Sequence, residues 1–210
     1  MQPHKSFYRK NLPHYQPKGA TFFITYRLAG SIPMEIIKQW NAELDVAEKK
    51  TTKKEEKIKI YKQHFAKADQ ELDKSQNEPY WLKDENIAAI VADSLQHCDA
   101  LYFKLWCFTI MTNHVHVLFT HTNSEVPLYS VLQKHKRHTA LKSNQLLSRT
   151  GSFWENESYD HVMKTDAEFD RVVLYILNNP VKAGFVSKPS DWKWTWLHPE
   201  LSSKYNFDVH

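Results

Sequence analysis

A chain of 210 residues suits one domain with an elaboration, and its 41% hydrophobic and 13% aromatic content is enough to bury a core, which excludes a disordered or fibrous chain. Only two cysteines occur, Cys98 and Cys107, both in apolar contexts, so a disulfide scaffold and a Cys-based zinc site are excluded. The net charge of +4 hints only weakly at an anionic partner.

The N-terminal arm carries a stronger hint. From Met1 to Pro33 there is no acid, while Lys5, Arg9, Lys10, Lys18 and Arg27 are basic. The opening MQPHKSFYRKNLPH lacks the apolar stretch of a signal peptide, and no run of about 18 apolar residues exists. A cytoplasmic protein with no membrane span is the expectation. TFFITYRL after Gly19-Ala20 is β-branched and aromatic and predicts a strand. Pro33 then suits the first turn of a helix carrying Ile37, Trp40, Leu44 and Ala47 on one stripe. Ile58, Tyr61, Phe65, Ala68 and Leu72 repeat the spacing after a polar bridge, and Thr52 with Glu55 reads as a capping box. These stripes predict packing helices and no site. Asp84 to Cys98 is a further amphipathic helix.

LYFKLWCFTI and HVHVLFT are predicted strands joined by Met111-Thr112-Asn113, a hairpin length. Pro127 to Leu147 is a basic helix inside a second acid-free block that runs from Val126 to Trp154. FWENESYDHVMK contains a short strand in its second half, and Thr165-Asp166 caps a last helix, DAEFDRVVLYILNN, stopped by Pro180. Trp192, Trp194 and Trp196 alternate as on a strand and read as a lid on the core. The element order predicts an α+β chain: a ferredoxin-like antiparallel sheet with helices on one face. One domain over 1–210 is expected, with a helical elaboration over about 34–97 and a C-terminal tail over about 187–210.

His114 and His116 break an otherwise apolar strand. Residues two apart share a strand face, so the imidazoles stand side by side, at a spacing that suits two ligands on one divalent ion. By itself the pair is a weak signal, since two hydrogen-bonded histidines on a sheet face would read the same. The last helix adds to it. Glu168, Arg171, Asn178 and Asn179 form its polar side, with Tyr175 at the centre, while Phe169, Val172, Val173 and Ile176 lie opposite, toward the sheet. Tyr175 reads either as a presented phenol or as a half-exposed aromatic. Asn179, one turn on, reads either as a third ligand or as the last residue before Pro180.

TNHVHVLF resembles the HUH motif (His, a hydrophobic residue, His) of single-tyrosine transposases, and LYILNNPVKAGFV resembles their tyrosine-helix motif. LPHYQPKGATFFITYRL, EPYWLKD, the basic helix, GSFWENESYDHVMK and DWKW are similar to the REP-associated branch of that family, so the likeness runs roughly from Leu12 to Trp194. The resemblance implies an HUH-type nuclease fold and a transposase-type enzyme that nicks and joins single-stranded or hairpin DNA. It implies that His114 and His116 hold Mg²⁺ or Mn²⁺, that Tyr175 becomes linked to a 5′ phosphate, and that Asn179 stands where many relatives carry Gln as third ligand. Glu168 and Arg171 neighbour Tyr175 on the polar side of the helix, and the acceptor of the Tyr175 proton is left open. Phosphate contacts are expected from the basic helix, through Lys136 and Arg137 first and then Lys134 and Lys142, and from Arg9, Lys10 and Lys18 in the arm. Trp154 is weighed as a platform for an unpaired base against core packing. A hairpin-binding protein of the same fold that no longer cuts is the alternative, as is a phosphodiesterase that uses water. Monomer and homodimer both remain open.

Overall fold

The structure, a computed structural model, describes residues 7–9, 13–74 and 79–207. Two short strands, β1 (Phe7–Arg9) and β2 (Pro13–Tyr15), pair antiparallel ahead of β3 (Thr21–Leu28). The elaboration follows as α1 (Met34–Lys49) and α2 (Lys54–Lys74). Thr51 and not Thr52 organises the turn between them: its hydroxyl accepts from the Lys53 N–H at 3.2 Å and bonds the Glu56 carboxylate. Next come α3 (Glu85–Cys98), β4 (Phe103–Ile110) and β5 (His114–His121). Asp84 caps α3 by accepting from the Asn86 and Ile87 N–H groups. The chain ends with α4 (Leu128–Leu146), β6 (Trp154–Val162), α5 (Asp166–Lys182), β7 (Thr195–Leu197) and α6 (Pro199–Tyr205).

The main sheet has the order β6-β3-β5-β4-β7, antiparallel throughout. Its first four members reproduce the ferredoxin-like arrangement, and β7 extends the β4 edge. Alternation along β3 and β5 divides the interior in two. Phe22, Ile24, Tyr26 and Leu28 of β3, with Val115, Val117 and Phe119 of β5, pack against α3 and α4. Phe23 and Leu118, with Cys107, face the opposite way and meet Val173, Ile176 and Leu177 of α5. Helices therefore cover both faces and not one. β3, β4 and β5 are accordingly buried on both sides for most of their length.

Two details differ at the ends of elements. Pro180 lies inside α5, which continues to Lys182, because α5 closes on the Ala183 N–H bonded to the Asn179 carbonyl at 2.9 Å. Trp154 begins β6 and is buried, its indole N–H donating to Thr139 Oγ1 at 2.9 Å and its ring meeting Tyr26 edge to face. Core packing is its role, and it is closed to a nucleobase.

His135 of α4 is also buried, with Tyr26 Oη 2.7 Å from Nε2 and Ser94 Oγ 2.9 Å from Nδ1. Burial, helped by the Lys136 and His138 charges, pushes its pKa down to about 3. The unfolded chain takes up this proton near pH 6.5, so stability is full above that pH and is lost as pH falls toward 3. Urea unfolding between pH 7 and 4 will show that decline, and it will be shallower in His135→Gln.

Candidate active site

The two histidines point to the face that α5 covers. His114 and His116 are 0% exposed, with their Nε2 atoms 3.0 Å apart. Each ring is held from behind. Asn113 Oδ1 lies 2.6 Å from His114 Nδ1, and the Asn113 amide N–H donates to the Leu72 carbonyl of α2 at 3.2 Å. That second bond turns the amide oxygen toward the ring, so His114 Nδ1 carries the proton and Nε2 presents its lone pair. Thr25, directly across the ladder from His116, bonds its Nδ1 at 2.7 Å through a hydroxyl that serves either tautomer. The His116 ring also stacks on Phe23.

Helix α2 supplies what the strand lacks. Phe65 stacks on Tyr159 with ring centroids 3.9 Å apart and meets Phe23 edge to face, which seats the helix over the sheet. One turn later Asp69 comes down on the histidines. Its Oδ1 lies 3.3 Å from His116 Nε2, and ligand atoms of Asp69, His114 and His116 lie within 4.8 Å of one another. Asp69 is the residue that sequence reasoning missed. The signal was present: Asp69 follows Phe65 by four and precedes Leu72 by three, so an acid occupies the stripe assigned to packing.

Helix α5 brings the remaining groups. Tyr175 donates its phenolic hydrogen to Asp69 Oδ2, and its ring lies 5.3 Å from that of His116. Asn179, one turn on, is fully buried with neither amide atom hydrogen-bonded, and it sits beside the Tyr175 hydroxyl. Tyr175 is half-buried, with its hydroxyl turned onto Asp69. The Tyr175–Asn179 side of α5 is polar yet covered, because α2 lies across it, and the exposed positions are Arg171, Leu174 and Asn178.

Electrostatics follow from closure. Burial pushes Tyr175 far above the usual phenol range, and the Asp69 charge and hydrogen bond add to it. Burial also works to raise Asp69, but the hydrogen bond and charge of His116, with His114 and Tyr175, outweigh it and hold the carboxylate below its ordinary value. Burial lowers His114, with the His116 charge next. Lys182 Nζ donates to Asp73 Oδ2 at 2.7 Å and lies 3.8 Å from Asp69 Oδ2, a cation at the rim that the sequence reading passed over. Glu168 is committed elsewhere, its carboxylate bonded to His161 Nε2 at 2.8 Å and Lys62 Nζ at 3.1 Å, whereas the Tyr175 hydroxyl bonds Asp69. Arg171 is exposed on the open side of α5.

Two ring nitrogens, a carboxylate and an amide carbonyl in one pocket fit a divalent cation with mixed N and O preference. Asn179 Oδ1, which has no hydrogen bond, and Asp69 Oδ1, which His116 Nε2 approaches at 3.3 Å, are the acceptors such an ion would satisfy.

The expected DNA contacts are scattered. Lys136 is committed to β6, donating to the Glu155 carbonyl at 2.7 Å and Ser158 Oγ at 3.0 Å. Lys134, Arg137 and Lys142 are exposed on α4, which covers the face opposite the histidines. Lys18 is exposed in a turn, Arg9 lies in β1, and Lys10 lies outside the described residues.

No family model matches the chain. It is 21% identical over 118 residues to a Haemophilus influenzae protein named as a REP-associated tyrosine transposase, a stretch of 52% of this chain and 67% of that one. It is 22% identical over 102 residues, 48% of this chain and 58% of the relative, to the REP-associated tyrosine transposase of Escherichia coli K12. A solved REP-associated tyrosine transposase, bound to a REP hairpin, matches with a TM-score of 0.53 and 16% identity over 90% of this chain and 80% of its own. The likeness read from the motifs thus stands: over about half its length in sequence, and over most of it in fold, the chain is similar to the REP-associated tyrosine transposases.

Proposed function

We propose that the chain nicks and joins single-stranded DNA at or near hairpins, as a transposase-type enzyme that uses Tyr175 as nucleophile and a divalent metal, Mg²⁺ or Mn²⁺. The observation that carries this reading is the convergence of the Tyr175 phenol and the His114 and His116 Nε2 atoms on one carboxylate, Asp69. A packing tyrosine has no need of that company. His114, His116 and Asp69 Oδ1 would hold the metal, with Asn179 as a further donor. When bound, such an ion supplies Lewis-acid charge at the scissile phosphate.

The chain's own groups supply the rest. The Tyr175 proton moves to Asp69 Oδ2, the acceptor already hydrogen-bonded to it. The phenolic oxygen forms a bond to phosphorus, and the bond from phosphorus to the 3′ oxygen breaks. That oxygen leaves as a free 3′ hydroxyl after taking a proton, and the 5′ phosphate stays on Tyr175. An incoming 3′ hydroxyl reverses the step, so joining requires no nucleotide. The closed site is the resting form in this reading, and α2 must lift for a phosphate to enter.

A second reading keeps hairpin binding and drops cutting. The full burial of both imidazoles favours it. Labelled single-stranded DNA carrying a hairpin, incubated with Mn²⁺ and run on a denaturing gel, separates the two. A covalent protein–DNA band that disappears in Tyr175→Phe is the expected result, whereas binding with no cleavage supports the second reading. Cleavage that survives Tyr175→Phe would point to water as nucleophile.

Two further outcomes follow. Calorimetric Mn²⁺ affinity will fall about 10–100-fold in Asn113→Ala, because the group fixing the His114 tautomer is gone. DNA affinity will be nearly unchanged in His114→Ala, since basic surfaces supply most of it, and Lys134→Ala with Arg137→Ala will flatten its salt dependence.

A further inference from the structure

Beside the site, on the same face of the sheet, a cavity of about 240 Å³ opens between the α1–α2 pair and strands β3 and β6. Thr25 and Asp69 form its inner wall, so it adjoins the groups that hold His116 and Tyr175. Its lining is aromatic: Trp40 of α1, the stacked rings of Phe65 and Tyr159, and His64 of α2, which meets Trp40 edge to face. His64 Nε2 is buried without a hydrogen-bond partner. A buried ring nitrogen left unsatisfied in an aromatic cavity requires a ligand that brings a complementary polar edge. Burial, with the Lys67 charge, lowers the His64 pKa, so the ring is neutral and offers one donor and one acceptor.

The charge on the walls argues against a phosphate as occupant. Arg27 lies 3.3 Å from Glu155 and is neutralised by it, and the one further cation of the lining, Lys38, stands against the carboxylates of Glu157 and Asp69. What fits is a flat ring with polar edges. We propose that this cavity receives one unpaired nucleobase flanking the scissile phosphate, stacked on its aromatic walls and contacted at its edge by His64. The inference rests on single-stranded DNA being the substrate, and it adds a base-reading pocket formed by the helical elaboration.

The test separates base capture from cutting. A hairpin oligonucleotide with single-stranded flanks is synthesised with 2-aminopurine at each flank position in turn, and binding is followed by its fluorescence without divalent metal. With the wild type, one position will change its emission on binding. In His64→Ala, and in Ala68→Phe, which fills the cavity while keeping its rings, that change will be lost. Affinity will fall about tenfold, in line with the loss of one stacked base. Both variants are first checked for wild-type thermal unfolding. An abasic nucleotide at the responding position will weaken wild-type binding equally, and the variants will weaken it no further. The same emission change in both variants, or no responding position in the wild type, overturns the pocket. Failure to cleave while the position-specific signal persists sinks the transferase reading and leaves the pocket standing.

Discussion

A carboxylate taken out of water against two imidazoles is the constraint on which this molecule turns. Burying an ionised group costs several kcal/mol unless charge and hydrogen bonds replace its hydration. Asp69 receives one hydrogen bond from a phenol and lies against a pair of ring nitrogens, which hold it ionised in spite of its burial. Those partners come from the strand β5 and from the distant helix α5, while Asp69 itself rides on α2. The contact therefore ties the elaboration to the sheet more firmly than the apolar stripe of α2 does alone, and it explains why an otherwise charge-dense helix lies flat on that face.

The two oxygens of the same group look in different directions. Oδ1 turns to the imidazoles and Oδ2 to the phenol. An ion seated among the ring nitrogens and a proton leaving Tyr175 would thus be felt by one functional group. The resting arrangement is chemically quiet, since burial and the adjacent negative charge keep Tyr175 protonated. The aromatic cavity on the other side of Asp69 extends this face of the sheet away from the histidines, and it is built by α1 and α2, the segment that enlarges the ferredoxin-like frame.

Much of this was legible in the residues themselves. Period-two alternation brought His114 and His116 to one face, the three-residue link Met111 to Asn113 marked the hairpin, and a four-residue step set Asn179 behind Tyr175. Other features take their meaning only from contacts between distant segments. Asp69 sits among Lys67, Glu71 and Asp73, where an acid reads as a solvated face until the sheet is known to lie beneath it. The polar side of α5 looked solvent-facing for the same reason. Lys136 carries the composition of a phosphate ligand, but only the three-dimensional register of α4 against β6 reveals that backbone and a serine hydroxyl hold it. The second face of helices was hidden for a like reason: its positions in TFFITYRL are Thr21, Phe23, Thr25 and Arg27, which read as a solvated side.

The Asn113 side chain spans two of these parts at once, donating to the Leu72 carbonyl and accepting from His114. Any swing of α2 away from the sheet pulls on that amide before it reaches the ring. In the proposed reaction the gate and the tuning peg would be the same side chain: a movement large enough to admit a backbone phosphate would also free the group that decides which nitrogen of His114 carries hydrogen. Uncovering the site and setting its ligand chemistry would then be a single mechanical event.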